Sequence, residues 1–209
     1  MKKIIILSLA LGLIIPWSSI VAKRNNHKGV ARKKNRELGQ ELYVAAKWGH
    51  LNKVKKLLNN GADINYINKG SHETPLHEAS DEGFLPVVKY LVNHGANMEI
   101  KNDKGRTPLY QAVDEGRTDV VKFLVSKGAK VDTKTNDGES ILHLAVTKKN
   151  LDIVKTLVED GNADLTITNA GKTPRQIAKG KIAEYLDSQK YLAPRKALKL
   201  PSRPRILEK

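Results

Sequence analysis

A short motif returns at a constant spacing through the middle of the chain, and this period constrains the fold more than any other feature. A hydroxyl residue opens the copies, at Thr74, Thr107, Ser140 and Thr173. Self-similarity at a fixed period of about 20 to 50 residues is typical of folds built from stacked units. Two short helices cannot bury both of their apolar faces alone, whereas stacked copies can. The sequence therefore predicts a linear array stabilised by contacts between neighbouring units.

Each copy predicts two helices joined by a tight turn. Thr74 can cap the first helix through its hydroxyl, and Pro75 suits the first helical position because no N–H partner is needed there. Gly83 is expected to interrupt the helical structure between the two helices, and apolar residues at helical spacing follow in 86–92. Gly95 is expected to end the second helix by adopting a positive φ. The corresponding glycines of the other copies are Gly61, Gly128 and Gly161.

The pattern Thr-Pro-Leu-His, followed by Ala, Gly, Val-Val, Leu and Gly-Ala over residues 74–96, resembles the ankyrin repeat. The resemblance covers about residues 40–188. It divides this range into a weak first repeat, three good repeats and a short final cap, at 40–68, 70–102, 103–135, 136–168 and 169–188. It implies an all-α, ankyrin-type solenoid of helix–turn–helix repeats with projecting β-turns. It also implies a non-enzymatic protein that binds another protein.

Three departures from the motif lead to separate expectations. The first repeat has Gln-Glu-Leu-Tyr at 40–43, so its first helix is expected to be a polar cap. In the third good repeat, Lys149 stands where Gly116 stands one repeat earlier, and this inner turn is expected to be less tight. Arg175 stands where earlier repeats carry leucine, which predicts a shortened polar cap at the C-terminal end of the array.

The N-terminal segment 1–22 has the order of a targeting sequence. Two lysines precede an apolar run over 4–15, and Pro16, the serine pair 18–19 and an Ile-Val pair then lead to Ala22. This order predicts an export signal cleaved after Ala22, and so a secreted or periplasmic protein. Seven basic residues and no acid follow in 23–36, and positive charge beside an apolar segment tends to stay cytoplasmic. An uncleaved membrane anchor with a cytoplasmic repeat array is therefore the main alternative, and a buried N-terminal helix is a third.

Charge divides the chain into a neutral body and two basic arms. The net charge is +15, yet residues 37–189 contain 21 basic and 21 acidic residues. The excess is +9 in residues 1–36, mostly in the basic linker, 23–39, and +6 in the tail, 189–209, which is expected to be flexible because prolines interrupt its basic residues. A uniformly basic nucleic-acid-binding domain is disfavoured. Weak contact of the arms with anionic lipid or nucleic acid is the alternative function, with a solvated tail lacking a specific ligand as the plainer interpretation.

The sequence contains no recognisable catalytic, metal or cofactor site. There is no cysteine, which excludes thiolate nucleophiles and thiolate zinc sites. A phosphate-binding loop ending at Lys172 would need glycine at position 166, where threonine stands. The resemblance implies a structural hydrogen-bonding role for His77 and His143. The acidic pairs 81–82 and 114–115 are expected on solvated helix ends with near-normal pKa values, so acid–base catalysis and cofactors are not predicted.

The resemblance places partner contacts at the ends of the first helices and at the β-turn tips. The candidate binding residues are Lys47, Trp48, Asp81, Glu82, Asp114, Glu115 and Lys148 at helix ends, with Glu73 and Arg106 at the turns. A stripe of four carboxylates between Trp48 and Lys148 suits a partner with a basic central segment. The alternative is that these charges are merely solvated and that Trp48 packs on the cap. We expect a monomer that binds an unidentified protein, and analogy suggests a secreted interaction protein such as a bacterial effector.

Overall fold

The structure is a computed structural model that describes residues 33–189, and over this range the predicted all-α solenoid is confirmed. Its helices are α1 (33–47), α2 (Leu51–Asn59), α3 (Pro75–Asp81), α4 (Leu85–Asn93), α5 (Pro108–Asp114), α6 (Thr118–Ser126), α7 (Ile141–Thr147), α8 (Leu151–Lys155), α9 (Pro174–Ile177) and α10 (Gly180–Gln189). A π-helical turn, Thr156–Asp160, extends α8. Residues 33–189 contain no β-strand, and two isolated antiparallel bridges close the turns before α7 and α9.

The helices form two layers that run the length of the array. In one layer α3, α5, α7 and α9 contact one another in sequence, and in the other α2, α4, α6, α8 and α10 do so. Short turns join the layers within each repeat. One continuous apolar core runs between them, from Leu42 in α1 to Leu186 in α10. Each unit therefore buries its apolar faces against its neighbours, as the repeat predicts.

The first helix extends further towards the N-terminus than the repeat motif indicates. Residues 33–47 are helical, so the predicted boundary at residue 40 falls inside α1. A Cβ at Gly39 would lie 2.3 Å from the ring of Tyr66, and the Tyr66 hydroxyl donates to Gln40 at 2.9 Å. The close approach of this ring explains why the helix continues through a glycine. The predicted signal or anchor, 1–22, and the tail beyond Gln189 lie outside the described residues.

Hydroxyl caps begin α3, α5, α7 and α9, as predicted. Thr74 accepts a hydrogen bond from the backbone N–H of His77 at 3.4 Å, and Ser140 accepts one from His143 at 3.4 Å. The two histidines then join neighbouring repeats, because their Nε2–H groups donate to the carbonyls of Arg106 and Lys172, at 3.1 and 2.8 Å. The structural hydrogen-bonding role of both histidines is confirmed.

The expectation of a looser turn at Lys149 is wrong. Lys149 has φ 58°, and its N–H donates to Val146 at 3.1 Å. Gly116 has φ 66° and makes the matching bond to Val113 at 3.1 Å. The turns are equivalent because the bonds on either side fix the backbone. A residue with a Cβ is therefore held in the left-handed region, where it carries strain.

We expect Lys149→Gly to raise the free energy of unfolding by about 1 kcal/mol, since glycine relieves this strain. Urea unfolding monitored by circular dichroism measures the change. Lys149→Ala is the matched control, because it removes the charge but keeps the Cβ, and it should leave stability within about 0.5 kcal/mol of the parent. An equal gain in both variants would contradict the explanation from φ.

The end of the α8 segment also differs from the prediction. Gly161 has φ −83°, and the positive φ that ends the helix belongs to Asn162, at 55°. The repeat contains one extra residue here, which the π-helical turn absorbs: the Gly161 N–H donates to Thr156 at 3.0 Å, five residues back. Glycine at 161 is required for another reason. A Cβ there would lie 2.6 Å from a methyl carbon of Val131.

Candidate partner-binding surface

The stacking of the repeats brings the predicted helix-end residues into one row. Trp48, Glu82, Glu115 and Lys148 follow one another at the spacing of the repeat, at the C-terminal ends of α1, α3, α5 and α7. All four side chains are exposed, and Trp48 is 62% exposed. We call these helix ends, together with Asp81 and Val44, the binding row. The alternative in which Trp48 simply packs on the cap does not fit this exposure.

At the α1 end of the row, Lys47 is paired to a buried carboxylate. Its Nζ lies 3.1 Å from Oε2 of Glu78, whose other oxygen accepts a hydrogen bond from the Tyr43 hydroxyl. The side chain of Glu78 is only 7% exposed. The hydrogen bond between Lys47 and Glu78 raises the pKa of Lys47. Burial of the Tyr43 hydroxyl, and then its hydrogen bond to Glu78, raise the pKa of Tyr43. Lys47 therefore fastens α1 to α3, and its charge is largely compensated.

Asp114 is likewise compensated, by two cations. Arg106 Nη1 lies 3.2 Å from Oδ2 of Asp114, and Lys148 Nζ lies 2.6 Å from Oδ1. The hydrogen bond to Asp114 raises the pKa of Lys148. The guanidinium of Arg106 also lies 5.0 Å from the ring centre of Tyr110. The two ion pairs of Asp114, with Arg106 and with Lys148, thus link a β-turn to two helix ends.

Glu73 holds a β-turn in place and is not a free turn tip. One carboxylate oxygen accepts from Asn102 Nδ2 at 2.9 Å and from Gln111 Nε2 at 2.6 Å. Burial acts to raise the pKa of Glu73, but hydrogen bonds led by that of Asn102 outweigh it and lower the pKa. The carboxylate is therefore ionised and structurally engaged.

Three of the four predicted carboxylates of the stripe make no direct ion pair with another described residue. In the part of the chain that the structure describes, no ion pair involves Asp81, Glu82 or Glu115. The nearby Arg117 uses its Nε to donate to the backbone carbonyl of Asp81 at 2.7 Å. The stripe of four carboxylates is therefore a group of three, which we call the acidic triad.

The expectation of a near-normal pKa is wrong for Asp81. Partial burial of its carboxyl, followed by repulsion from Glu115 and other carboxylates nearby, raises the pKa of Asp81 from 3.8 to about 6. The sequence places this residue on a helix end, but α5 packs beside α3 and brings Glu115 close. A raised pKa marks a carboxylate whose ionised form the free protein holds at a cost.

We expect Asp81→Asn to stabilise the array by about 1 kcal/mol at pH 7, a figure reduced because the side chain is partly exposed. The folded pKa lies above the unfolded value, so the stability contributed by this carboxyl is complete below about pH 4 and is lost as the pH rises through about 6. Urea unfolding at pH 7 and pH 4 tests this. The exposed neighbour serves as control, since Glu82→Gln should give a smaller change, and a gain that persisted unchanged at pH 4 would contradict it.

Sequence reasoning missed Tyr43, Glu78, Asn102 and Gln111, which position the residues of the row. A signal for two of them exists. Glu78 and Gln111 occupy the same position of successive repeats, immediately after the residue that joins neighbouring repeats, and each is a polar residue within an otherwise apolar helix segment.

Over residues 33–189, no group of three or more His, Asp or Glu side chains could hold a metal ion. No helix in that range is long and apolar enough to cross a bilayer.

Two family models match the chain. Residues 42–135 match "Ankyrin repeats (3 copies)", and residues 124–178 match "Ankyrin repeats (many copies)", so that together they cover about two thirds of the 209 residues. The chain belongs to the ankyrin repeat family. Ankyrin repeats bind other proteins, and this coarse function comes with the family.

Several curated proteins share part of the ankyrin array. Human ankyrin repeat and SOCS box protein 11 is 37% identical over 71 residues, which are 34% of this chain and 21% of that protein. Human protein phosphatase 1 regulatory subunit 27 is 41% identical over 64 residues, or 31% of this chain and 41% of that protein. The Arabidopsis thaliana protein ACCELERATED CELL DEATH 6 is 36% identical over 69 residues, which are 33% of this chain and 10% of that protein. The matched part thus spans less than half the length of each of these relatives.

Proposed function

We propose that this ankyrin array is a non-enzymatic scaffold that binds a basic segment of another protein along the binding row. The observation that carries the proposal is the contrast within the row. Asp114 in the row and Glu78 behind it are held in ion pairs, whereas Asp81, Glu82 and Glu115 are in no ion pair within residues 33–189. A cationic side chain from a partner would supply the missing counter-charge.

The free protein gains from such a contact because the acidic triad is mutually repulsive. Glu115 and Glu82 both act to raise the pKa of Asp81. Like charges held close together disfavour the ionised state, and an opposite charge within about 4 to 6 Å favours it. Binding of a lysine or arginine therefore improves the electrostatics of the row as well as making a contact. The same charges would steer a basic partner towards it and would make the association weaken with salt.

Trp48 gives the row an apolar anchor beside the acidic triad. Its side chain is 62% exposed, and Val44, one helical turn earlier, is 39% exposed. Tryptophan is among the residues that dominate binding energy at protein interfaces. A segment that carries basic residues next to an apolar one therefore fits the row better than a purely basic one.

The proposed place of action rests on the sequence alone. The apolar run over 4–15 and the cleavage position after Ala22 support export as a secreted interaction protein, and the basic residues of 23–36 support a membrane-anchored protein with a cytoplasmic array. Mass spectrometry of the protein from fractionated native cells separates the two. A chain beginning at Lys23 in the soluble fraction supports export, and an intact chain in membranes supports the anchor.

A photo-crosslinking residue at position 48 of the full chain, expressed in the native cell, tests the binding row. We expect a crosslinked partner whose yield falls at least about tenfold in the variant Asp81→Asn, Glu82→Gln, Glu115→Gln, because three charge contacts are lost. The matched control is Asp119→Asn, Asp152→Asn, Asp160→Asn, which removes three exposed carboxylates from the other layer and should preserve the crosslink. Equal yields in the two variants contradict the proposed surface.

The basic arms supply the competing explanation of partner capture. If deletion of 190–209 abolishes all crosslinking while the acidic triad is intact, the tail and not the array binds the partner. Binding of the full chain to vesicles with and without anionic lipid then tests the alternative function of the arms.

A further inference from the structure

The binding row has a segment of matching chemistry in its own chain. We propose that residues 195–207 dock along the row, running back from α9 towards α1, with Arg203 and Arg205 on the acidic triad and the aliphatic pair 206–207 on the face of Val44 and Trp48. The tail would then be a resident competitor of the partner. This inference rests on the proposed function only in using the same surface.

The exposed face of α1 is the first argument. Val44 and Trp48 lie four positions apart, so their side chains are on the same side of the helix. They are two of the three large apolar residues in 33–189 that stand out as exposed, and the third is Ile67. The pair is therefore a small apolar surface bordered by charged residues, on which a segment with apolar side chains could be buried.

Charge complementarity is the second argument. Residues 37–189 have no net charge, and within them the acidic triad is a local excess of negative charge. Residues 190–209 carry seven basic residues against the single acid Glu208. In 195–207 the basic residues are interspersed with leucine and isoleucine, so the segment can supply cations to the triad and apolar contact to Trp48 at the same time.

The third argument is the distance that the tail can span beyond Gln189, which also determines that it runs from α9 towards α1. Helix α10 ends at Gln189, and Arg205 is 16 residues further on, so it can lie up to about 53 Å away. Packed helices are about 8 to 10 Å apart, which places α3 about 30 Å and α1 about 40 Å back along the array. Residues 203–207 can therefore reach both ends of the site. Leu192, three residues beyond Gln189, can extend only about 10 Å and cannot.

Trp48 itself provides the measurement. The chain has two tryptophans, so Trp17→Phe in the full chain leaves Trp48 as the only one. Acrylamide quenching of its fluorescence reports whether it is covered. At low salt we expect quenching at least about twofold weaker than in the tail variant Arg203→Gln, Arg205→Gln, Ile206→Ser, Leu207→Ser. About 0.5 M NaCl should remove much of the protection, because it screens the charge contacts.

Two further variants make the result specific. Lys190→Gln with Leu192→Ser makes the same kinds of change too close to α10 to reach Trp48, and it should leave the protection intact. Asp81→Asn, Glu82→Gln, Glu115→Gln should expose Trp48 as the tail variant does. Combining the surface and tail changes should add little to either alone, because both remove one contact.

Three outcomes overturn the inference. The first is equal quenching of Trp48 in the parent and the tail variant. The second is protection that vanishes on dilution, which assigns it to the tail of a second copy, and the third is protection that depends on the basic residues of 23–32 instead. None of these touches the proposed function, which the crosslinking yield tests separately. If the inference holds, the tail variant also captures more partner than the parent.

Discussion

Replacing His77 with alanine is expected to lower the free energy of unfolding by about 3 kcal/mol, because truncation leaves a cavity and the buried Thr74 N–H without a partner, and breaks the link to Arg106. The side chain is fully buried, and its Nδ1 accepts from the Thr74 N–H at 3.1 Å while Nε2–H donates to the Arg106 carbonyl at 3.1 Å. The unpaired Thr74 N–H is the costlier loss, because the Arg106 carbonyl still accepts from the Asn102 N–H at 3.0 Å. Urea unfolding by circular dichroism gives the change.

The chain contains its own comparison for this substitution. In the last repeat Gln176 stands at the equivalent position, and its Oε1 accepts from the Thr173 N–H at 2.8 Å. His77→Gln should therefore keep the cap, lose the link to the next repeat and cost only about 1 kcal/mol. His50→Ala, at an exposed histidine, should change stability by less than about 0.5 kcal/mol. Equal losses for the alanine and glutamine variants of His77 would refute the role of the cap.

The same histidine makes stability depend on pH. Burial lowers the pKa of His77 from its usual value of 6.5, although the hydrogen bond to Arg106 opposes this. The unfolded chain therefore binds the proton more readily, and the stability from neutral His77 is present above about pH 6.5 and is lost as the pH falls. His77→Gln should flatten the decline in unfolding free energy between about pH 7.5 and 5.

The fold was predictable because local chemistry repeats. A hydroxyl cap and an apolar face, with a proline in three of the four copies, specify the first helix without reference to distant residues, and four copies in the same register exclude coincidence. The final cap follows from the same frame. The backbone conformation at two turns was not predictable, because it depends on hydrogen bonds made by the residues around them. Lys149 adopts the turn of a glycine because the bonds around it require it, and the positive φ moved from Gly161 to Asn162 because one residue was added.

The binding row was predictable in position but not in charge state. Its residues share one repeat position, so their alignment follows from the constant period of the sequence. Which carboxylates are compensated depends on side-chain directions across repeats. Lys148 pairs with Asp114 of the preceding repeat, and Lys47 turns inward to Glu78. Neither pairing has a sequence signal, since other cations lie at similar spacings. The predicted stripe of four carboxylates therefore contains only three without an ion pair, because Asp114 is paired.

Replacing Glu78 with alanine is expected to cost about 2 to 3 kcal/mol and to loosen α1 from the array, because it breaks a buried polar network. The buried Tyr43 hydroxyl would lose its acceptor, and Lys47 would lose its counter-charge. Removing one partner of such a network leaves the others unsatisfied, which costs more than the network contributes when intact. Urea unfolding gives the total loss, and hydrogen exchange of the α1 amides shows whether the first repeat opens ahead of the rest.

A double replacement separates the network from the mere presence of a side chain. Leu144 stands two repeats later at the position of Glu78 and is buried, so Glu78→Leu with Tyr43→Phe should replace both buried polar groups by apolar ones, while the 42% exposed Lys47 turns to water. A buried ionic network replaced as a whole by apolar side chains of similar volume is often neutral, and stability should return to within about 1 kcal/mol of the parent. Glu82→Ala, next to the network but exposed, should be nearly neutral. If Glu78→Ala is also neutral, the carboxylate does not fasten α1, and the position of Trp48 in the binding row must have another cause.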